Sequence, residues 1–306
     1  MKVLIGVDGS AGARAALRQV GQWLSPERDQ VALYYAPPQL KVRAAAGAPS
    51  DLPERARQAL AEAIFDEART ALPEGLAQGA TTITGSRRPD DGLLVAADEW
   101  RAELIVVGAR GLSPLARLLV GSVSRSVASM ATIPVLVVRP NLRHKPGGLN
   151  LLLACDGKSE SHHAAGVLAR FTWPEHTRGR VMHVLESPLT GEIPEWLDKL
   201  AHQTDAEVLA HAWATEHDHE RLARRAEMTR FCGELPAPFH DQPPLVVEGQ
   251  PADRILAAVE SERIDLVIVG AYGRTLLGRW LISSTSEKVL DHAPCSVLLV
   301  PHHAHP

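Results

Sequence analysis

Three glycines and a serine in the first half of the chain have a spacing that could hold a phosphate chain. Gly108, Gly111, Gly121 and Ser122 read G-x2-G-x9-G-S. The apolar run Leu104–Val107 before them has no polar break, as expected of a strand buried on both faces of a parallel sheet. It ends at Gly108, where the backbone must turn and a side chain would obstruct a close ligand. Gly121 and Ser122 open a helical stretch, Ser122–Met130, with Val123, Val127 and Met130 on one face. Free N–H groups at a helix start carry partial positive charge, and with a serine hydroxyl they suit phosphate. The plainer alternative is that the glycines only turn the chain and Ser122 only caps a helix. For an isolated G-x2-G that alternative would prevail, because such matches are frequent by accident.

The context is a repeat. The block from Glu103 to Val138 recurs from Asp265 to Val300 at an offset of 162 without a gap. Earlier in the chain the offset is 148: Asp8 pairs with Asp156, Gly9 with Gly157, Tyr35 with His183 and Ala36 with Val184. By Pro89 and Asp91, matched to Pro251 and Asp253, it has become 162, so the second copy carries 14 extra residues between its second and third strands. A repeat of about 150 residues is domain-sized, which predicts two copies of one domain at 1–140 and 149–306 and not a solenoid.

Each copy alternates strand and helix. Strands are expected at Val3–Val7, Val31–Tyr35, Thr81–Thr84, Leu104–Val107 and Val135–Val138, then at Leu151–Ala154, Arg180–Val184, Leu245–Val247, Leu266–Val269 and Val297–Val300. Helices are expected at Ala11–Leu24, Glu54–Leu72, Asp91–Arg101 and Ser122–Met130, then at Ser161–Phe171, Pro194–Cys232 with a break, Ala252–Arg263 and Ser284–Asp291. This alternation calls for two α/β domains, each a doubly wound parallel sheet with right-handed crossovers. Ligands on such sheets bind past the carboxyl ends of the strands where the strand order reverses, and Asp8 and Gly108 both stand at such ends.

Composition sets limits. The chain has 306 residues, 45% hydrophobic and 22% charged, with a formal net charge of −4. That suffices for two buried cores, and no basic stripe with interleaved aromatics points to nucleic acid. No apolar run approaches a membrane span, and the start MKVLIGVD reads as a strand and not a signal peptide, so the expected location is the cytoplasm. Cys155, Cys232 and Cys295 are odd in number and far apart, which suits reduced thiols.

VLIGVDGS at a domain start paired with VVGARG-x9-GSVS near its end resembles the universal stress protein family in its tandem form, over nearly the whole chain. The resemblance implies five-stranded parallel sheets in the order 3-2-1-4-5. In the nucleotide-binding branch of the family, it implies ATP, with Mg²⁺ or Mn²⁺ on the phosphates, at the switch point between strands one and four. Asp8 and the backbone at Ala36 would then meet adenine or ribose, Gly108 and Gly111 would lie against ribose and phosphates, and Gly121, Ser122, Val123 and Ser124 would hold the phosphate chain. The family order also leaves the last strand of each copy at a sheet edge, where unpaired apolar strands invite pairing. A pseudo-twofold packing of the two copies across Val135–Val138 and Val297–Val300 is therefore expected, and a homodimer is open.

The second copy departs at one place. Gly270, Gly273 and Ser284 are kept, but Ser283 replaces Gly121, and Tyr272 replaces Arg110. If the backbone there has positive φ or touches phosphate, a β-carbon costs about 1 kcal/mol or more and blocks approach. A serine hydroxyl could instead donate to phosphate. A second site of Asp156, Val184, Gly270, Gly273, Ser283 and Ser284 thus stays open.

Other residues have simpler explanations beside sharper ones. Asp8 and Asp156 could be bases, but an aspartate before glycine at a strand end also serves turns and helix caps. Arg117 and Arg279 match across the repeats and could face phosphate or solvent. His211, His217 and His219, with His302, His303 and His305, could gather a metal, but His217 and His219 are two apart and point to different helix faces, and no metal held by the protein is expected. Three function classes result. They are an ATP-binding regulator or sensor in the stress response with at most slow hydrolysis and an unidentified protein partner, an interaction scaffold that binds no nucleotide, and an enzyme of the related adenine-nucleotide α-hydrolase-like superfamily. The last would carry an SGGxDS loop or a HIGH signature, and the chain has VDGSAG instead.

Overall fold

The computed structural model describes residues 1–38, 52–109, 120–140, 148–155, 160–186, 204–270, 272–274 and 280–301. The first copy runs β1 (Lys2–Gly6), α1 (Ala11–Gly21), β2 (Gln30–Tyr35), α2 (Leu52–Thr70), α3 (Glu74–Gly79), β3 (Thr81–Thr84), α4 (Pro89–Trp100), β4 (Leu104–Gly108), α5 (Ser122–Met130) and β5 (Val135–Val138). The second runs β6 (Asn150–Ala154), α6 (Glu160–Leu168), β7 (Arg178–Leu185), α7 (Thr204–Cys232), β8 (Leu245–Glu248), α8 (Pro251–Ser261), β9 (Leu266–Gly270), a hairpin of β10 (Tyr272–Arg274) and β11 (Trp280–Ile282), α9 (Ser284–His292) and β12 (Ser296–Val300).

All expected strands and helices form, most ends shifting by a residue or two. The second helical region of the second copy is described only from Thr204, so a break before it falls on residues outside the description. Three features are additional: α3, a 3-10 turn at Ala237–Phe239 and the β10–β11 hairpin. The hairpin is not among the elements expected from the sequence. Tyr272 and Trp280–Ile282 are aromatic and branched residues that favour extended backbone, and Tyr272 pairs with Ile282 antiparallel.

The strands join one ten-stranded sheet in the order β3-β2-β1-β4-β5-β12-β9-β6-β7-β8. Each half has the expected 3-2-1-4-5 order and is parallel throughout. The halves meet at the one antiparallel junction, β5 with β12, in register Val297 to Val137, Leu298 to Leu136 and Leu299 to Val135. Pairing the last strands removes two apolar edges at once, which is the physical reason the copies join there. The remaining edges, β3 and β8, are short and half-exposed or exposed.

Each face of the sheet carries a core that runs through both halves. On one face Trp23, Leu136, Phe171 and Leu298 belong to a single cluster; on the other, Val127, Val137, Val289 and Val297 do. Trp23 packs edge to face on Phe171, centroids 5.8 Å apart, and Trp173 completes the group. Polar contacts reinforce the junction. Arg125 on α5 bonds Asp291 on α9 at 2.6 Å, and buried Arg139 donates to the Leu290 carbonyl at 2.7 Å, closing the carboxyl end of α9. Among the described residues no helix is long and apolar enough to cross a membrane.

Candidate functional site

The strand order reverses between β1 and β4, the place where a binding crevice is expected on a sheet of this kind. Beyond the last paired residues of β1 and β2, the Val7 N–H donates to the Tyr34 carbonyl at 2.9 Å, bringing Asp8 level with Ala36. Asp8 Oδ1 accepts from the Ser10 N–H at 2.9 Å, and Ser10 Oγ accepts from the Ala13 N–H at 3.1 Å as the N-cap of α1. The turn between them requires Gly9, whose φ is +73° and whose missing β-carbon would sit 2.7 Å from Ile64. Asp8 therefore acts as a turn and helix-start residue. Burial pushes the Tyr35 hydroxyl up from its ordinary value, and the Asp8 carboxylate adds to that shift.

Arg14 was not legible as a site residue. Its Nη1 donates to the Gly9 carbonyl at 2.7 Å and to Glu67 at 2.6 Å, placing a cation beside the Asp8–Gly9 turn. The available signal was its place one helical turn beyond Ser10.

Gly108 ends β4 against α1. A β-carbon there would lie 2.6 Å from the Gly12 carbonyl carbon and 2.9 Å from the Ala13 nitrogen. Close approach of backbone to backbone, and not of a ligand, is what requires glycine at this position. At Gly270, its counterpart, a β-carbon would meet nothing within 4 Å among the described residues.

The Gly121 N–H donates to the Ala109 carbonyl at 2.7 Å, tying the start of α5 to the end of β4. Gly111, Arg110 and Arg117 lie outside the described residues. Gly121 is the N-cap of α5 with φ −64° and ψ 155°, ordinary extended backbone, and it provides no side-chain cap. Ser122 is exposed and Val123 half-buried at the start of the helix. Ser124 is buried, and its hydroxyl donates to the Gly108 carbonyl at 2.6 Å. That bond holds α5 on the end of β4 and uses the hydroxyl hydrogen assigned to phosphate on sequence grounds. Met130, expected on the apolar face, is exposed at the last turn.

The second copy repeats this frame with one difference. Ser286 donates to the Gly270 carbonyl as Ser124 does to Gly108. Ser283 has nearly the dihedrals of Gly121, φ −65° and ψ 152°, so neither position needs positive φ. The serine differs through its hydroxyl: Oγ accepts from the Ser286 N–H at 3.1 Å and lies 2.8 Å from Ser286 Oγ. Because Ser286 spends its own hydrogen on Gly270, Ser283 is the donor in the second contact. The α9 start is thus capped from within, whereas the α5 start has no side-chain cap among the described residues. Ser284 is exposed, Val184 is half-buried in β7, Gly273 pairs with Leu281 in β10, and Asp156 lies outside the described residues. Strand β11 packs against α5, so the second copy supports the helix of the first copy's candidate site.

Among the described residues no group of three or more His, Cys, Asp or Glu could hold a metal. His302, His303 and His305 are outside the description, as are the side chains of His211 and His217, and His219 is exposed. None of the three cysteines is in a disulfide, and burial pushes Cys295 up to about 12.

A family model described as "Universal stress protein family" matches residues 1–139 and again 149–301. A universal stress protein of Mycolicibacterium smegmatis is 26% identical over 309 residues, covering 97% of this chain and 96% of its own. One from Thermus aquaticus is 31% identical over 151 residues, 49% of this chain and 96% of its own, as a single copy of the repeat would be. Among solved structures, a universal stress protein from Archaeoglobus fulgidus covers 99% of this chain and 98% of its own with a TM-score of 0.60 at 17% identity, a likeness of fold. The chain belongs to the universal stress protein family, with the family domain present twice in tandem.

Proposed function

We propose that the protein is an ATP-binding regulator or sensor in the stress response, and that nucleotide binds in the first copy. The domains are taken as 1–140, with the complete motif, and 149–306, with the altered one. The observation that carries this reading is the N-terminus of α5 at Gly121, which has no side-chain cap among the described residues and follows the strand switch point, against the self-capped N-terminus of α9. Backbone N–H groups of Ser122, Val123 and Ser124 would take the phosphates, with the Ser122 hydroxyl. Asp8 and the backbone at Ala36 would meet adenine or ribose, and Gly108 and Gly111 would lie along ribose and phosphates. Mg²⁺ or Mn²⁺ would arrive on the nucleotide. The protein would work in the cytoplasm through a protein partner.

The second site of Asp156, Val184, Gly270, Gly273, Ser283 and Ser284 would bind ATP at least about tenfold more weakly, which corresponds to about 1.4 kcal/mol. Calorimetric titration of Mg-ATP tests the assignment. One equivalent should bind, Gly121→Val should remove most of it, and Ser283→Val should change little. Equal loss from both variants would contradict the asymmetry, and no binding by the native chain would favour the scaffold.

A further inference from the structure

We propose that Cys155, Met228 and His183 form a binding site for the soft monovalent cation Cu(I), at the carboxyl ends of β6 and β7 under α7. Cys155 follows β6 and Met228 comes from α7; their sulfurs are 3.4 Å apart, the thiol donating to the thioether. Ala154 pairs with Met182 in register, so Cys155 and His183 are neighbours on adjacent strands. By strand alternation both follow Leu153 and Val181 on the face covered by α7, where Met228 is buried.

His183 supplies the argument for a ligand. It is only 6% exposed, and its Nδ1 lies 2.9 Å from the Cys155 carbonyl. A carbonyl only accepts, so Nδ1 donates to it, and in the neutral tautomer that leaves Nε2 with the lone pair a metal needs. Metal-binding histidines are oriented this way, one ring nitrogen donating to a carbonyl and the other facing the ion. Thiolate, thioether and imidazole together favour Cu(I) over hard divalent cations. Only two of the three donors are of the types His, Cys, Asp or Glu, and all come from different elements, so no spacing in the sequence marks them.

The first copy has nothing comparable there. Its equivalents are Val7 and Tyr35, with Phe65 of α2 edge to face on Tyr35 at 6.4 Å. Burial raises the Cys232 thiol and pushes Cys295 up to about 12. Cys155 is half-exposed, giving an ion access. Binding replaces the thiol proton with Cu(I) and releases that proton to solvent, so uptake should weaken as pH falls.

The test is an anaerobic titration of the full chain with Cu(I), competed by bathocuproine disulfonate. The native protein should withhold one equivalent from the chelator. Cys155→Ser should lower the affinity at least about a hundredfold, and His183→Gln, which removes the imidazole ligand, at least about tenfold. Met228→Leu conserves volume and should keep the fold, read by circular dichroism, while weakening binding about tenfold. No uptake by the native protein would overturn the site, as would full uptake by Cys155→Ser or Met228→Leu, or a loss in Cys232→Ser as large as in Cys155→Ser.

Discussion

Leu136 and Leu298 hold the same position in their two repeats and face each other in register across the antiparallel junction of β5 and β12. A residue opposite its own counterpart marks a pseudo-twofold axis, as it would in an isologous dimer. Trp23 and Phe171 are a second such pair, at the other offset, and they also touch. One chain therefore contains an interface of the kind two separate subunits would make.

A consequence concerns the first repeat alone. In a chain cut after residue 140, the fully buried Val135–Val138 strand becomes an exposed apolar edge. Two copies should then pair β5 to β5, giving a dimer in sedimentation at micromolar concentration. Leu136→Lys should return that fragment to a monomer. In the intact chain Trp23→Ala should cost about 3–5 kcal/mol, because Trp23 is 1% exposed, and denaturant unfolding should show both halves weakened together.

The fold was legible because its determinants are local: apolar strand runs, Asp-Gly ends and a repeat that doubles every inference. Strand order and the β5–β12 junction followed from the family resemblance and from the need to cover apolar edges. The site was less legible. Gly108 was read as room for a ligand, yet its tight neighbour is the backbone of Gly12 and Ala13, which sequence distance hides. Ser124 looked like a phosphate donor until the Gly108 carbonyl proved to be its partner. The hairpin around Tyr272 and Trp280 was missed because the glycine spacing there reads as a loop.

The two matching glycines should respond differently to the same change. Gly108→Ala forces α1 away from β4 and should destabilise by about 1–3 kcal/mol, the usual range for overpacking. Gly270→Ala meets no atom within 4 Å among the described residues and should fall within about 0.5 kcal/mol of the native protein. Urea midpoints of the two variants decide the matter.

Acid should weaken the junction through Glu103. Its side chain accepts from Arg170 at 2.6 Å, and that bond, with the Lys2 N–H, holds its carboxyl at about 2 against the opposing effect of burial. A depressed folded-state value gives stability that is present above the unfolded value near 4.5 and lost as pH falls toward 2. Both side chains are 41% exposed, so solvent screening limits the pair to about 1 kcal/mol or less. Glu103→Gln should flatten the stability profile between those pH values, and added salt should shrink the difference.

Hydrolysis of bound ATP should be slow. Fast phosphoryl transfer needs a positioned base and charge stabilisation. Asp8 is engaged with the Ser10 N–H, and the sequence has no Walker lysine. Turnover on the order of one per minute or less is expected, far below the common enzyme range. Phosphate release above about 1 s⁻¹ that disappears in Ser122→Ala would reveal an enzyme.

The contrast between Gly121 and Ser283 can be exchanged. Gly121→Ser should let the new hydroxyl accept from the Ser124 N–H as Ser283 does from Ser286, capping α5 from within. The helix gains only a few tenths of a kcal/mol, the usual difference between serine and glycine at a cap. ATP affinity in the first repeat should nevertheless drop at least tenfold, because an N–H and the space above it are no longer available to phosphate. Ser283→Gly removes the cap from α9 and should raise affinity in the second repeat toward a second measurable equivalent. Titration calorimetry and thermal melts on both variants separate binding from stability. If Gly121→Ser binds ATP as well as the native chain, the start of α5 is not where phosphate sits.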